Sequence, residues 1–171
     1  MKSTGVVRRI DELGRIVIPK EIRRNLGIRD GENVEIFTEE EIIILKKYNR
    51  MSSSSELASS LCEIINNIFG FKVFITDREK VIALSGLNEE INNKKLNEEL
   101  LKAIEDREII TKEEILLKIE NIEINGNFVF IPIISLNDSV GLVILYNENK
   151  LTDEVSVGKL AANIFARKLD I

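Results

Sequence analysis

The sequence predicts an α+β protein built from two small domains of opposite charge, and three observations carry that expectation. The first is charge: residues 1–29 hold 8 basic and 3 acidic side chains, whereas residues 51–171 hold 13 basic and 20 acidic ones within a chain of net charge -5. Such asymmetry means the two parts meet different partners. The second is a run of four serines, Ser52 to Ser55, the composition of a short linker. The third is patterning, because short Val- and Ile-rich runs interleave with apolar residues at helical spacing on both sides of that linker. The expected domains are therefore 1–50, a linker over 51–55, and 56–171, with 171 residues enough for two small units.

In the head, residues 5–10 and 15–18 read as short strands joined by a turn over Asp11-Glu12-Leu13-Gly14. Pro19 suits the first position of a helix, and Gly27 suits the position just past its end. Between them Ile22 and Leu26 share one helix face, while Lys20, Arg23 and Arg24 share another. Asp30-Gly31 is a turn, residues 33–37 form a strand, and residues 42–45 form a buried strand. Four short strands and about two turns of helix bury too little surface to stand alone, so the head is expected to pair with a second copy.

The stretch DELGRIVIPKEIRRNLG packs Arg15, Lys20, Arg23 and Arg24 around an apolar Ile16-Val17-Ile18. An arginine fork holds phosphate oxygens bidentately and reaches guanine edges, and several such contacts together give a salt-dependent hold on DNA. The bland alternative is a solvated face whose arginines pair with Glu12, Glu21 and Asp30. The run MKSTGVVRRIDELGRIVIPKEIRRNLGI, followed by VEIF and IIILKKY, closely resembles the AbrB-type swapped-hairpin DNA-binding domain over residues 1–48. The resemblance implies a dimer whose hairpins interleave into one small barrel-like unit. It also implies a double-stranded DNA partner, with Arg8, Arg15, Arg23 and Arg24 forming the contacting surface. Lys2, Arg9 and Lys20 join that surface on local charge alone. The resemblance also implies recognition of DNA shape and flexibility over a strict base code, and the arginine-dominated surface is compatible with that.

In the tail, Ser53-Ser54-Ser55-Glu56 fits a capping box with Ser53 as N-cap. Leu57, Leu61, Ile64 and Ile68 then form the core stripe of a helix ending at Gly70. Residues 72–76 and 81–84 make a hairpin around Asp77-Arg78-Glu79-Lys80, and a second helix is expected over 89–106, burying Leu96, Leu100 and Ile104. Residues 122–128 read as a hairpin with an Asn125-Gly126 turn. Residues 128–134 and 140–146 are nearly continuous apolar strands, as in the middle of a sheet. Thr152 caps a last helix that buries Val157, Leu160, Ala161, Ile164 and Phe165.

The order α-β-β-α-β-β-β-α suggests an antiparallel sheet with flanking helices. With FIPIIS followed by SVGLVILY, it resembles a GAF domain over residues 56–171. An AbrB-type head joined to a GAF-like tail resembles the stage V sporulation protein T family. That resemblance implies a transcriptional regulator of sporulation and a tetramer. The charged residues that follow Met1 and the lone Cys62 give the expectation of a cytoplasmic, nucleoid-associated protein. GAF domains often bind small molecules, which leaves an effector pocket between the sheet and the 89–106 helix open. Packing of the tail on another copy is the favoured reading. The other readings of Ser85-Gly86 as a turn, and of Arg78 and Lys80 as hairpin-tip charges, are structural.

Catalysis is not expected. With no histidine and one cysteine, Ser-His-Asp and Cys-His nucleophile systems, imidazole-ligated zinc and cysteine clusters cannot be built, and no cofactor or metal is implied. The lone Cys62 fits a reducing compartment and a place in the core. A carboxylate-dependent Mg²⁺ enzyme would need convergent acids. Glu89-Glu90, Glu98-Glu99 and Glu113-Glu114 read instead as solvated faces. Membrane partners are not expected, because no apolar run approaches ~20 residues. The remaining alternative is an antitoxin that uses a swapped-hairpin head to hold a toxin. Those usually carry a disordered tail, unlike the patterned one here.

Overall fold

The computed structural model describes residues 4–31, 33–48, 51 and 54–170. The chain divides into two compact units, Met1–Asn49 and Arg50–Ile171. Lys2, Ser52 and Ser53 lie outside the described residues, and with them the expected Ser53 cap.

The described residues of the first unit hold one helix and one hairpin. Helix α1, Lys20–Asn25, starts directly after Pro19, whose missing N–H would find no partner there. It ends as expected on Gly27, at φ +64. The Gly27 amide donates to the Arg24 carbonyl and the Ile28 amide to the Arg23 carbonyl, closing a Schellman motif. Strands β1, Val34–Glu39, and β2, Ile42–Lys47, pair antiparallel from Val34↔Lys47 to Glu39↔Ile42.

Three expectations for this unit change. Residues 5–10 and 15–18 are not strands: they run without a ladder, because a strand needs a facing backbone and the one ladder among the described head residues is β1–β2. The run over 42–45 is a strand but not a buried one, with Ile43 65% exposed. Leu26 is exposed on α1 while Ile22 is half-buried. No described head residue is buried, and Val7, Leu13, Val17, Ile36 and Ile43 all stand in the open.

The second unit is a five-stranded antiparallel sheet in the order β4-β3-β7-β6-β5, built from β3 Lys72–Thr76, β4 Val81–Ser85, β5 Ile110–Ile119, β6 Ile122–Ser135 and β7 Asp138–Asn147. Helices α2, Ser55–Phe69, and α4, Glu154–Leu169, cover one face over Val73, Ile75, Val129, Ile131, Val143 and Leu145. A short 3-10 turn, Glu89–Ile91, and helix α3, Glu98–Asp106, cover the other over Phe74, Phe128, Phe130, Leu142 and Ile144. Both faces are dry, which is why the central strands read as continuous apolar runs. Met51 also packs into the α2 side of this core.

The helix expected over 89–106 is in fact two pieces. Lys80 bridges Lys95 between them, and the Asn97 side chain accepts the Leu100 amide to start α3. The Asn125-Gly126 turn is also replaced: both residues sit inside β6, opposite Leu116 and Ile115. Thr152 is not the cap of α4; Asp153 holds that position, and the Thr152 amide and hydroxyl donate to the buried Glu154 carboxylate. The core stripe of α2 is Ala58, Leu61, Cys62 and Ile65, with Ile64 and Ile68 exposed, and on α4 Leu160 and Ile164 are exposed as well. Among the described residues no helix is long and apolar enough to cross a membrane.

Candidate nucleic-acid interface

The basic side chains of the head are carried by three local structures. Arg8 and Arg9 lie in the extended segment before the first turn and are exposed; Arg8 donates an Nη1–H to the Val7 carbonyl at 3.3 Å. Arg15 closes the turn over residues 11–15. There the Gly14 amide donates to the Asp11 carbonyl at 2.9 Å, the Asp11 amide donates to the Arg15 carbonyl at 3.1 Å, and Gly14 takes φ +75. Lys20, Arg23 and Arg24 come together on α1, with Arg23 and Arg24 in its last turn, where cations meet the negative end of the helix dipole.

Two carboxylates shape this surface. Asp11 accepts the Leu13 amide at 3.0 Å and the Arg15 amide at 2.8 Å on one oxygen, and the Arg15 Nε–H at 2.7 Å on the other. The backbone bond from Arg15, then its side-chain bond, hold the Asp11 carboxyl below the ordinary carboxylate range. Asp30 pairs with an Arg23 Nη1. The pairings weighed from sequence named Glu12, Glu21 and Asp30; of these Asp30 pairs, and among the described residues Glu12 and Glu21 do not. Asp11 was missed as a partner, although its i, i+4 spacing to Arg15 and the turn-forming habit of aspartate signal it. Arg8 and Arg24 have no carboxylate partner among the described residues. Arg8, Arg9, Arg15, Lys20 and Arg24 are thus exposed, and Arg23 is half-buried beside Asp30.

The tail residues singled out for chemistry hold structure together. Arg78 donates Nε–H to the Ser139 carbonyl at 2.7 Å and pairs with Asp138, while Lys80 donates to Asn93 at 2.8 Å. Gly86 takes φ +77, and a Cβ there would sit 2.5 Å from the Asn66 amide nitrogen. Burial pushes the Cys62 thiol up to about 12. The space between the sheet and α3, where an effector pocket was considered, is filled by Phe74, Leu100, Ala103, Ile104, Phe128 and Phe130. A surface cleft of about 470 Å³ does lie between β4 and the start of the 89–106 segment, lined by Ser59 and Glu63 of α2 with Ser85, Leu87, Glu89 and Asn92. No three His, Cys, Asp or Glu side chains converge among the described residues.

Residues 54–170 match the family described as stage V sporulation protein T C-terminal, transcription factor. Residues 7–53 match the family described as antidote-toxin recognition MazE, bacterial antitoxin. The chain is 34% identical over 177 aligned positions to stage V sporulation protein T of Bacillus subtilis (strain 168), with 99% of each chain covered. Over 48 residues it is 62% identical to the transition state regulatory protein AbrB of the same organism, covering 28% of this chain and 50% of that protein. The solved N-terminal DNA recognition domain of AbrB aligns at a TM-score of 0.25, covering 28% of this chain and 91% of the other; the shared residues, not the superposition, carry that comparison. The GAF domain of an Acinetobacter phosphoenolpyruvate-protein phosphotransferase aligns at a TM-score of 0.52 and 12% identity, covering 67% of this chain and 81% of that one, a likeness of fold alone.

Proposed function

The chain belongs to the stage V sporulation protein T family, and from that premise we propose that it is a DNA-binding transcription regulator of sporulation whose basic head grips the duplex. The observation that carries the reading is the head itself: 62% identity to AbrB coincides with exposed Arg8, Arg15 and Arg24 and half-buried Arg23. Arg8, Arg15, Arg23 and Arg24 make the main contacts, with Lys2, Arg9 and Lys20 adding phosphate contacts at the margin. The division of labour is a head over 1–50 for DNA and a tail for assembly, with the serine run between the buried Met51 and the start of α2 at Ser55 too short to be the whole of the expected 51–55 linker. Two heads interleave, which supplies the core that one head lacks, and the tail joins dimers into a tetramer. Linked heads engage one duplex together and multiply their avidity. The protein acts by binding and not by catalysis, on the nucleoid in the cytoplasm.

Gel-shift titration of a duplex with the wild type and an Arg8/Arg15/Arg23/Arg24→Ala variant of unchanged circular dichroism tests this. The variant is expected to bind at least about tenfold more weakly; equal binding refutes the reading. The MazE-type match over residues 7–53 favours a second reading, an antitoxin-like hold on a small partner protein. It predicts a stoichiometric small protein retained on purification of the chain from its own host.

A further inference from the structure

We propose that Asp11 is a positioning residue for DNA recognition, presetting the Arg15 guanidinium for the duplex. The inference rests on the reading of Arg15 as a DNA contact and deepens it. One carboxylate makes three hydrogen bonds within a single turn: the amides of Leu13 and Arg15 on Oδ1, and the Arg15 Nε–H on Oδ2. The turn backbone is therefore fixed by one oxygen and the arginine side chain by the other. Pairing through Nε occupies one donor and leaves both terminal amino groups of Arg15 without a hydrogen bond among the described residues, on a side chain that is 72% exposed. Those two groups carry four of the five guanidinium N–H donors, the ones a phosphate or a guanine edge takes bidentately.

The contrast with Arg23 sharpens the point. Arg23 pairs with Asp30 through a terminal amino group, the group DNA would need, so that pair competes with the duplex. The Asp11 pair does not compete. Coulomb's law alone makes an acid beside a DNA-contacting arginine a cost, because it repels phosphate. Holding a long side chain in its bound rotamer offsets that cost by removing the ordering that binding would otherwise require. The lowered carboxyl of Asp11 is consistent with a bond made to its charged form.

Asparagine separates the two jobs of Asp11. Its amide oxygen still accepts from the Leu13 and Arg15 amides, but its amide nitrogen cannot accept the Arg15 Nε–H. The experiment uses the full chain and a labelled mixed-sequence duplex, with fluorescence anisotropy of wild type, Asp11→Asn, Arg15→Ala and the double variant. Thermal unfolding and the ¹⁵N resonance of Arg15 Nε are recorded in parallel.

The proposal predicts that Asp11→Asn binds about 3- to 10-fold more weakly, that its Arg15 Nε–H exchanges faster, and that the double variant binds no worse than Arg15→Ala. Binding equal to or tighter than wild type, with Arg15→Ala still weakened, overturns the positioning role and leaves the DNA surface standing. Arg15→Ala binding like wild type overturns the positioning role together with Arg15 as a contact, while the DNA surface itself stands or falls with the four-arginine variant. Should Asp11→Asn fail to fold, Arg15→Lys decides instead. It keeps the charge but loses the fork, so the proposal predicts a loss like that of alanine, and wild-type binding by lysine overturns it.

Discussion

At the scale of single residues, the tail is built to tolerances that individual atoms reveal. Gly141 in β7 lies so close to β3 that a Cβ would sit 1.9 Å from the Thr76 carbonyl oxygen, a backbone atom that cannot turn aside. Gly141→Ala is therefore expected to lower stability by about 1–3 kcal/mol, read as a shift of the chemical unfolding midpoint at unchanged slope. Cys62 makes a second residue-scale prediction. Its thiol is fully buried and desolvation holds it up to about 12, so very little thiolate exists near neutral pH. A maleimide or disulfide reagent at pH 8 should leave the native protein unlabelled and modify it at once in denaturant. Rapid labelling of the native chain would show that the α2 core opens readily.

At the scale of elements, what the sequence disclosed followed from what each element buries. The runs of β3, β6 and β7 were legible because both faces of the central strands are apolar, and the edge strand β4 because Val81-Ile82-Ala83-Leu84 carries no charge. Strand β5 was not. It is an edge strand carrying Lys112, Glu113, Glu114 and Lys118, and such charges protect an edge while disguising it as a solvated loop. The Asn-Gly pair misled for a different reason: Gly126 is a glycine because the Tyr146 ring lies 2.5 Å from where its Cβ would be, whereas the true turn between β5 and β6 bends at Glu120, φ +52, without any glycine.

The helices were legible, with Leu100 and Ile104 of α3 and Val157, Ala161 and Phe165 of α4 buried as expected, but the stripe of α2 was out of phase. Apolar residues surround α2 on more than one side, so spacing alone could not say which side meets the sheet. That surplus is itself informative. Ile64 and Ile68 on α2, and Leu160 and Ile164 on α4, are exposed apolar side chains on helices packed side by side on one face of the sheet. Under the assembly reading they cover another copy. Substituting Ile68 and Leu160 by serine should lower the mass measured by analytical ultracentrifugation while leaving the unfolding midpoint within about 1 kcal/mol of wild type. An unchanged mass would place the contact elsewhere.

At the scale of the whole molecule, the two units differ in kind. The tail has a two-sided core, whereas no described residue of the head is buried. A lone head offers arginines and open apolar side chains together; under the proposed dimer, interleaving two heads would remove the apolar part from water while adding the charges. Arg15, Lys20, Arg23 and Arg24 were legible as a charge cluster and Asp30 as a partner to it, whereas Asp11 was missed, because its effect depends on the turn that brings it onto Arg15.

The central claim is that this charge exists to hold phosphate, and the salt dependence of binding to duplex DNA tests it most directly. With four arginines on each of two heads engaged, log K against log salt should fall with a slope of about -7. The four-arginine variant should lose most of that slope along with its affinity. A wild-type slope near zero, or a variant with an undiminished one, would contradict the account.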